Sequence, residues 1–143
     1  MKYRYGSHTK YNIEYHFIWV TKYRYKILTG GVGERLRDFV RQTCVAHEIE
    51  ILRGVVSKEH VHVLVSSPSQ LAPSEIMRRI KGRSASKLFE EFPSLKKRYW
   101  GRHLWARGYF CATVGQMTDE MLKDYLAHHF EPKKDDGFDI EPD

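Results

Sequence analysis

No stretch of this chain is long and apolar enough to suggest a membrane span. The longest purely apolar run near the start is Phe17-Ile18-Trp19-Val20, against the roughly 20 residues a spanning helix needs. Met1-Lys2-Tyr3-Arg4-Tyr5 has no apolar h-region behind it, so no secretory signal is expected. Cysteine is scarce. Cys44 and Cys111 are the only two, far apart and outside any CxxC pair, which reads as free buried thiols in a reducing, cytoplasmic compartment. There is no internal repeat and no low-complexity segment, which removes solenoids and arrays from consideration.

What is present is enough for one packed domain. The chain has 143 residues, 41% hydrophobic and 29% charged, a balance that favours a globular fold over disorder. The expected organisation is one domain over 1–132 and an acidic tail over 133–143. Acid is concentrated at that end. The last nine residues hold five acids and no base, so the rest of the chain carries 24 basic against 13 acidic side chains, a formal +11. A basic body with an acidic tail points toward a polyanionic partner.

Periodicity suggests an α+β architecture. Residues 11–20 are dense in aromatic and β-branched side chains that alternate with polar ones, which predicts a strand. After the breaker Thr29-Gly30-Gly31, the helical spacing of Leu36, Phe39, Val40 and Cys44 predicts a helix over 33–47. Residues 48–56 and 60–66 read as two further strands about the polar turn Ser57-Lys58-Glu59. On the second of these, Val61, Val63 and Val65 share one face and His60, His62 and Leu64 the other. A helix is expected from Pro73 to about Glu91, with Ile76, Ile80, Leu88 and Phe89 as core candidates and Gly82 as a costly interruption. Phe92-Pro93 ends it, and a basic, aromatic segment follows (Lys96-Lys97-Arg98-Tyr99-Trp100). Residues 109–114 predict a fourth strand. Thr118 then caps a last helix to about Phe130, with Asp119 and Glu120 suited to its positive end. The order βαββαβ plus one helix is the ferredoxin-like, or RRM-like, antiparallel plan. It puts the first and third strands at the sheet centre, and His60 and His62 on one face.

Two histidines at i and i+2 of a strand point the same way, and neutral imidazoles so placed can share a divalent ion. A lone His-x-His is more often structural, so a second feature is needed. Tyr125 and His129 lie at i and i+4 of the last helix and share a face. By themselves they read as an amphipathic-helix tyrosine and a solvated helix end. Together with the histidine pair they assemble a chemistry. A tyrosine attacks a phosphodiester when its hydroxyl is aligned and the phosphate charge is neutralised, a metal polarises that phosphate, and a third ligand one turn from the nucleophile fixes the two together. Arg78, Arg79, Lys81, Arg83 and Lys87 cluster around Gly82, and Lys10 sits among the N-terminal tyrosines; these are the expected DNA contacts. Lys22, Arg24 and Lys26 are mixed with Tyr23 and Tyr25, rings that suit either stacking on bases or a core. His16, on the first strand, suits a role supporting the metal ligands rather than ligation.

Several stretches carry a resemblance: His8-Thr9-Lys10-Tyr11, residues 15–24, Glu59-His60-Val61-His62-Val63-Leu64-Val65, Lys81-Gly82-Arg83-Ser84-Ala85, Leu104-Trp105 with Tyr109-Phe110, and Lys123-Asp124-Tyr125-Leu126. In this order the chain resembles the single-tyrosine HUH transposases (TnpA-type) of insertion sequences that move as single-stranded DNA. The resemblance implies a homodimer with joined sheets, in which the tyrosine helix of one subunit serves the histidine pair of the other. It implies binding of single-stranded DNA hairpins at element ends, a 5′-phosphotyrosine intermediate on Tyr125, a free 3′-OH, and resealing without ATP. It implies Mg²⁺ or Mn²⁺ at His60 and His62, and a prokaryotic cytoplasm with access to the genome. The family commonly carries Gln where this chain has His129. Imidazole is a softer ligand than an amide oxygen, and His128 at i+3 is the alternative third donor.

Three other readings compete. A non-catalytic nucleic-acid module on the same fold needs neither the histidines nor Tyr125, and no RNP1 pattern is present. A two-histidine phosphoesterase needs two His-x-Ser/Thr motifs, and no second copy exists. A domesticated relative that processes repeated palindromes has the same residues as a mobile transposase and differs only in the DNA around its gene.

Overall fold

The computed structural model describes residues 3–113 and 123–127. The chain divides into two compact units, Met1–Thr113 and Val114–Asp143. The first opens with a small hairpin, β1 (Arg4–Tyr5) and β2 (Lys10–Tyr11). It continues through β3 (Glu14–Val20), α1 (Gly30–Ala46), β4 (Glu50–Val56), β5 (His60–Ser66), α2 (Pro73–Glu91), α3 (Pro93–Arg98) and β6 (Phe110–Ala112). Four strands form one antiparallel sheet in the order β4-β5-β3-β6. With α1 between β3 and β4 and α2 between β5 and β6, this is the ferredoxin-like arrangement expected from the sequence, with β3 and β5 at its centre. In the second unit, residues 123–127 are helical, inside the span expected for the last helix. The tail over 133–143 lies outside the described residues, as do Thr118, Asp119 and Glu120, the expected start of that helix.

Burial sets the register of the central strands. Phe17 and Trp19 of β3 and Val61, Val63 and Val65 of β5 join Leu36, Phe39, Val40 and Cys44 of α1 and Ile76, Met77, Ile80 and Leu88 of α2 in one core. A one-residue slip of β5 would turn its three valines outward, at a cost of roughly 5 kcal/mol or more. Burial of the valines thus holds the two histidines on the opposite face. On that face β3 offers His16, Ile18 and Val20, each at most 1% exposed, with Ile18 paired to His62 and Val20 to His60. Both thiols are free, Cys44 buried and Cys111 partly so. No helix among the described residues is long and apolar enough to cross a membrane.

The structure departs from expectation at several element ends, among them β4, which begins at Glu50, and β6, which covers Phe110–Ala112. The strand expected over 11–20 begins at Glu14, because Lys10 and Tyr11 pair back on Tyr5 and Arg4. Arg4 pins this hairpin to the end of β5 by donating to the Ser66 hydroxyl at 2.9 Å and the Ser66 carbonyl at 3.0 Å. The first helix starts at Gly30 rather than Gly33, since φ of +53° at Gly30 is open to glycine and lets the chain turn in earlier. After α2, Pro93 both ends one helix and sits in the first turn of the next, α3, where its missing N–H costs nothing.

Gly82 sits inside α2 with open space where a Cβ would stand. Gly82→Ala is therefore expected to stabilise the fold by about 0.5–1 kcal/mol, by removing the backbone entropy of a mid-helix glycine. Chemical denaturation checks this; an unchanged or lower midpoint would show that the glycine is needed by the fold itself.

Candidate active site

His60 and His62 stand on the face of β5 turned away from α1 and α2. His60 is buried, and its Nδ1 lies 2.8 Å from Oε1 of Glu59. A carboxylate there fixes the tautomer with the proton on Nδ1 and leaves the Nε2 lone pair available, the arrangement common behind metal-bound histidines. His62 is half-buried, with Nε2 3.3 Å from Nδ1 of His16 across the β3–β5 pair. One of these nitrogens donates to the other, and Nδ1 is the His62 nitrogen facing away from His16. Burial, then the charges of His16, His60 and Arg53, holds the His62 imidazole below its usual pKa. It is therefore neutral at neutral pH, and in the tautomer whose Nε2–H donates to His16 the His62 Nδ1 keeps a lone pair to offer.

The donor set fits a divalent ion in kind: two imidazoles, one oriented by a carboxylate and one by a third histidine. Among the described residues no group of three or more His, Cys, Asp or Glu is placed to hold an ion. His129 and the alternative His128 both lie outside the described residues. Tyr125 is in the helical stretch 123–127, half-buried, and burial pushes its hydroxyl up to about 12.

The expected DNA contacts separate into different roles. Arg78 and Arg79 both reach Glu75, at 2.7 and 2.9 Å. Arg83 donates to Gln42 at 3.1 Å, and Lys87 lies 3.8 Å from Glu90. Together with Gln42, His47 and Gly82, these four cations line a surface cavity of about 590 Å³. Lys81 points elsewhere. Its ammonium donates to the Ala106 and Gly108 carbonyls, both at 2.9 Å, and burial lowers its pKa. It ties down the loop before β6, and an ammonium has one N–H beyond these two bonds. Lys10 is on β2, its Nζ 4.5 Å from the Tyr3 ring centre. In the sequence Glu59 stands in a polar turn and at the head of the motif around His60, with no role of its own assigned there. An acid directly before His-x-His was the available signal.

A family profile described as transposase, IS200-like, matches residues 9–129. The chain belongs to the IS200-like transposase family. Among its relatives is the ISDra2 transposase TnpA of Deinococcus radiodurans, 35% identical over 81% of this chain and 83% of that one. Another is the transposase for insertion sequence element IS200 of Salmonella typhimurium, 33% identical over 90% of this chain and 84% of that one. A crystal structure of a protein assigned as a transposase from Deinococcus radiodurans R1 superposes with a TM-score of 0.80 at 32% identity, covering 90% of this chain and 97% of that one. A REP-associated tyrosine transposase bound to a REP hairpin shares the fold alone, with a TM-score of 0.54 and 18% identity over 89% of this chain and 70% of that one. Transposases of this family cleave and transfer DNA strands, so the chain is an enzyme of that class. The resemblance drawn from its motifs holds at the level of the family.

Proposed function

We propose that this IS200-like transposase binds single-stranded DNA hairpins at the ends of its element and cleaves and rejoins the strand through Tyr125. His60 and His62 would hold a divalent ion, Mg²⁺ or Mn²⁺, with His129 or His128 as third ligand. The observation that carries this reading is the preset histidine face, with Glu59 on His60 and His16 on His62, in a chain of this family. The hairpin as ligand is supported by the fold neighbour that binds one.

When bound, the ion supplies Lewis-acid polarisation of the scissile phosphate. The chain's own residues do the rest. Burial keeps the Tyr125 hydroxyl protonated until DNA arrives. Its oxygen then attacks phosphorus, the P–O3′ bond breaks, and the proton ends on the departing 3′ oxygen. The products are a 5′-phosphotyrosine and a 3′-OH. In the return step a 3′-OH attacks the same phosphorus, the bond to Tyr125 breaks, and the phenol regains its proton. Each step exchanges one phosphoester bond for another, so no ATP is consumed. Arg78, Arg79, Arg83 and Lys87, with Lys10 and Lys81, neutralise backbone phosphates. The active form is a homodimer in which Tyr125 of one subunit works with the histidine pair of the other.

A covalent-trapping gel tests the reading. Protein is mixed with labelled single strands from the DNA flanking its own gene, with and without Mg²⁺ or Mn²⁺. A denaturant-resistant adduct that requires the metal is expected. Native-gel binding that never yields an adduct would leave a DNA-binding module and sink the catalytic reading. In the same assay Glu59→Ala should raise the metal concentration needed for half-maximal adduct by about 10- to 100-fold, as for other partners that orient a ligating histidine. An unchanged metal requirement would show that Glu59 does not orient a ligand.

A further inference from the structure

A second basic surface shares only Lys81 with the phosphate contacts above. Residues after β3, the middle of α2, and α3 with the loop behind it enclose a groove of about 1100 Å³. Its lining includes Lys22, Lys81, Arg98, Arg102 and Arg107 and, among the described residues, no acidic one. Among the described residues, Arg98, Arg102 and Arg107 form no ion pair with a carboxylate. Set among these cations is Trp100, 88% exposed, and Tyr23, 65% exposed. A tryptophan this exposed beside unneutralised arginines is poorly used by the folded chain alone.

The groove is also held rigid. Tyr23, Arg24 and Trp100 adopt φ of +60°, +56° and +56°, a region that L residues keep only where the surroundings impose it. The impositions are visible. The Lys22 amide donates to the Leu104 carbonyl at 2.8 Å and the Gly101 amide to Lys96 at 2.6 Å. Tyr99 donates to the Lys22 carbonyl at 3.3 Å, and Lys81 ties the 106–108 loop. Tyr23, Tyr25, Tyr99 and Phe89 form a chain of ring contacts running from the surface into the core. The Arg98 guanidinium lies 4.1 Å over Tyr25.

We propose that this groove holds unpaired nucleotides of the DNA substrate, with phosphates along Lys22, Arg98, Arg102 and Arg107 and a base stacked on Trp100. An acid-free run of cations selects a polyanion, and a protruding ring gains most from a base that is not already stacked in a duplex. The inference rests on the reading of the chain as a single-stranded DNA enzyme, and assigns that substrate a site apart from the histidine face and the cluster around Arg83.

Fluorescence reads this site directly, because Trp19 and Trp105 are 0% and 6% exposed and Trp100 is not buried. The full chain is titrated with a short oligothymidylate, which forms no hairpin, and with a duplex of equal length. Oligothymidylate is expected to quench tryptophan emission and the duplex much less. Trp100→Ala should weaken oligothymidylate binding by roughly tenfold to hundredfold, the scale of one lost base–ring stack, with Trp100→Phe retaining most of the affinity. Arg102→Ala should lower the slope of log affinity against log salt by about one phosphate contact. Unchanged thermal melting of each variant controls for folding. Absence of quenching, or wild-type affinity in Trp100→Ala, overturns the groove. The Tyr125-dependent adduct is scored on the same preparations. An adduct with no effect at Trp100 sinks only this inference. Quenching that depends on Trp100, without any adduct, supports the groove and sinks the catalytic reading.

Discussion

Tyr125→Phe is expected to abolish the covalent protein–DNA adduct, lowering strand cleavage by roughly 10⁴-fold or more, the scale on which enzymes lose rate when the nucleophile is removed. The substitution deletes one oxygen and keeps the half-buried ring on its helix, so the fold and the affinity for DNA should persist. The chain has nine tyrosines, which makes the control necessary: an adduct that survives in Tyr125→Phe would place the nucleophile on another of them. The elevated hydroxyl pKa, about 12, means that almost no phenolate exists at neutral pH before DNA binds. Rate should therefore depend on positive charge brought to the phosphate, which links this experiment to the histidines.

His62→Ala carries the second large effect. It removes a proposed ligand rather than a residue behind one, so the loss of metal-dependent cleavage should exceed the ~10- to 100-fold typical of changes in the groups that support a ligand. The valines flanking it remain to hold β5 in register, so loss of activity should not be loss of fold; calorimetric titration of the metal reads the same deficit without DNA. Normal cutting with Mg²⁺ or Mn²⁺ would remove His62 from the metal site. Mixing His62→Ala with Tyr125→Phe then tests the shared site. A mixed dimer contains one intact Tyr125 and one intact His62 on different subunits, so partial recovery is expected if they work across the dimer. No recovery in verified mixed dimers would put both on one chain.

Some elements could be read from single segments of sequence. The bounds of α2, Pro73–Glu91, and of β5, His60–Ser66, matched expectation because each is marked locally: proline at the helix start, Phe92-Pro93 at its end, strict alternation along the strand. The hairpin of β1 and β2 was missed because two-residue strands carry no periodicity, and α3 because six residues offer too little helical pattern to separate from a basic loop. Lys81 looked like one more cation of the Arg83 cluster. Its burial against the Ala106 and Gly108 carbonyls depends on chain 25 and 27 residues away.

The sequence alone determined the alternation that turns Val61, Val63 and Val65 to one side and His60 and His62 to the other, the βαββαβ order of the main elements, and the motifs that mark the family. Side-chain direction along a strand and helical spacing are set by neighbours a few residues away, so they are written locally. Only the tertiary structure decided that Ile18 pairs with His62, bringing His16 against it. It alone gathered Tyr23, Lys81, Arg98 and Trp100 around one groove. Those meetings follow from how the sheet and its two helices bury a shared apolar face, and no local spacing encodes which distant segments that burial brings together.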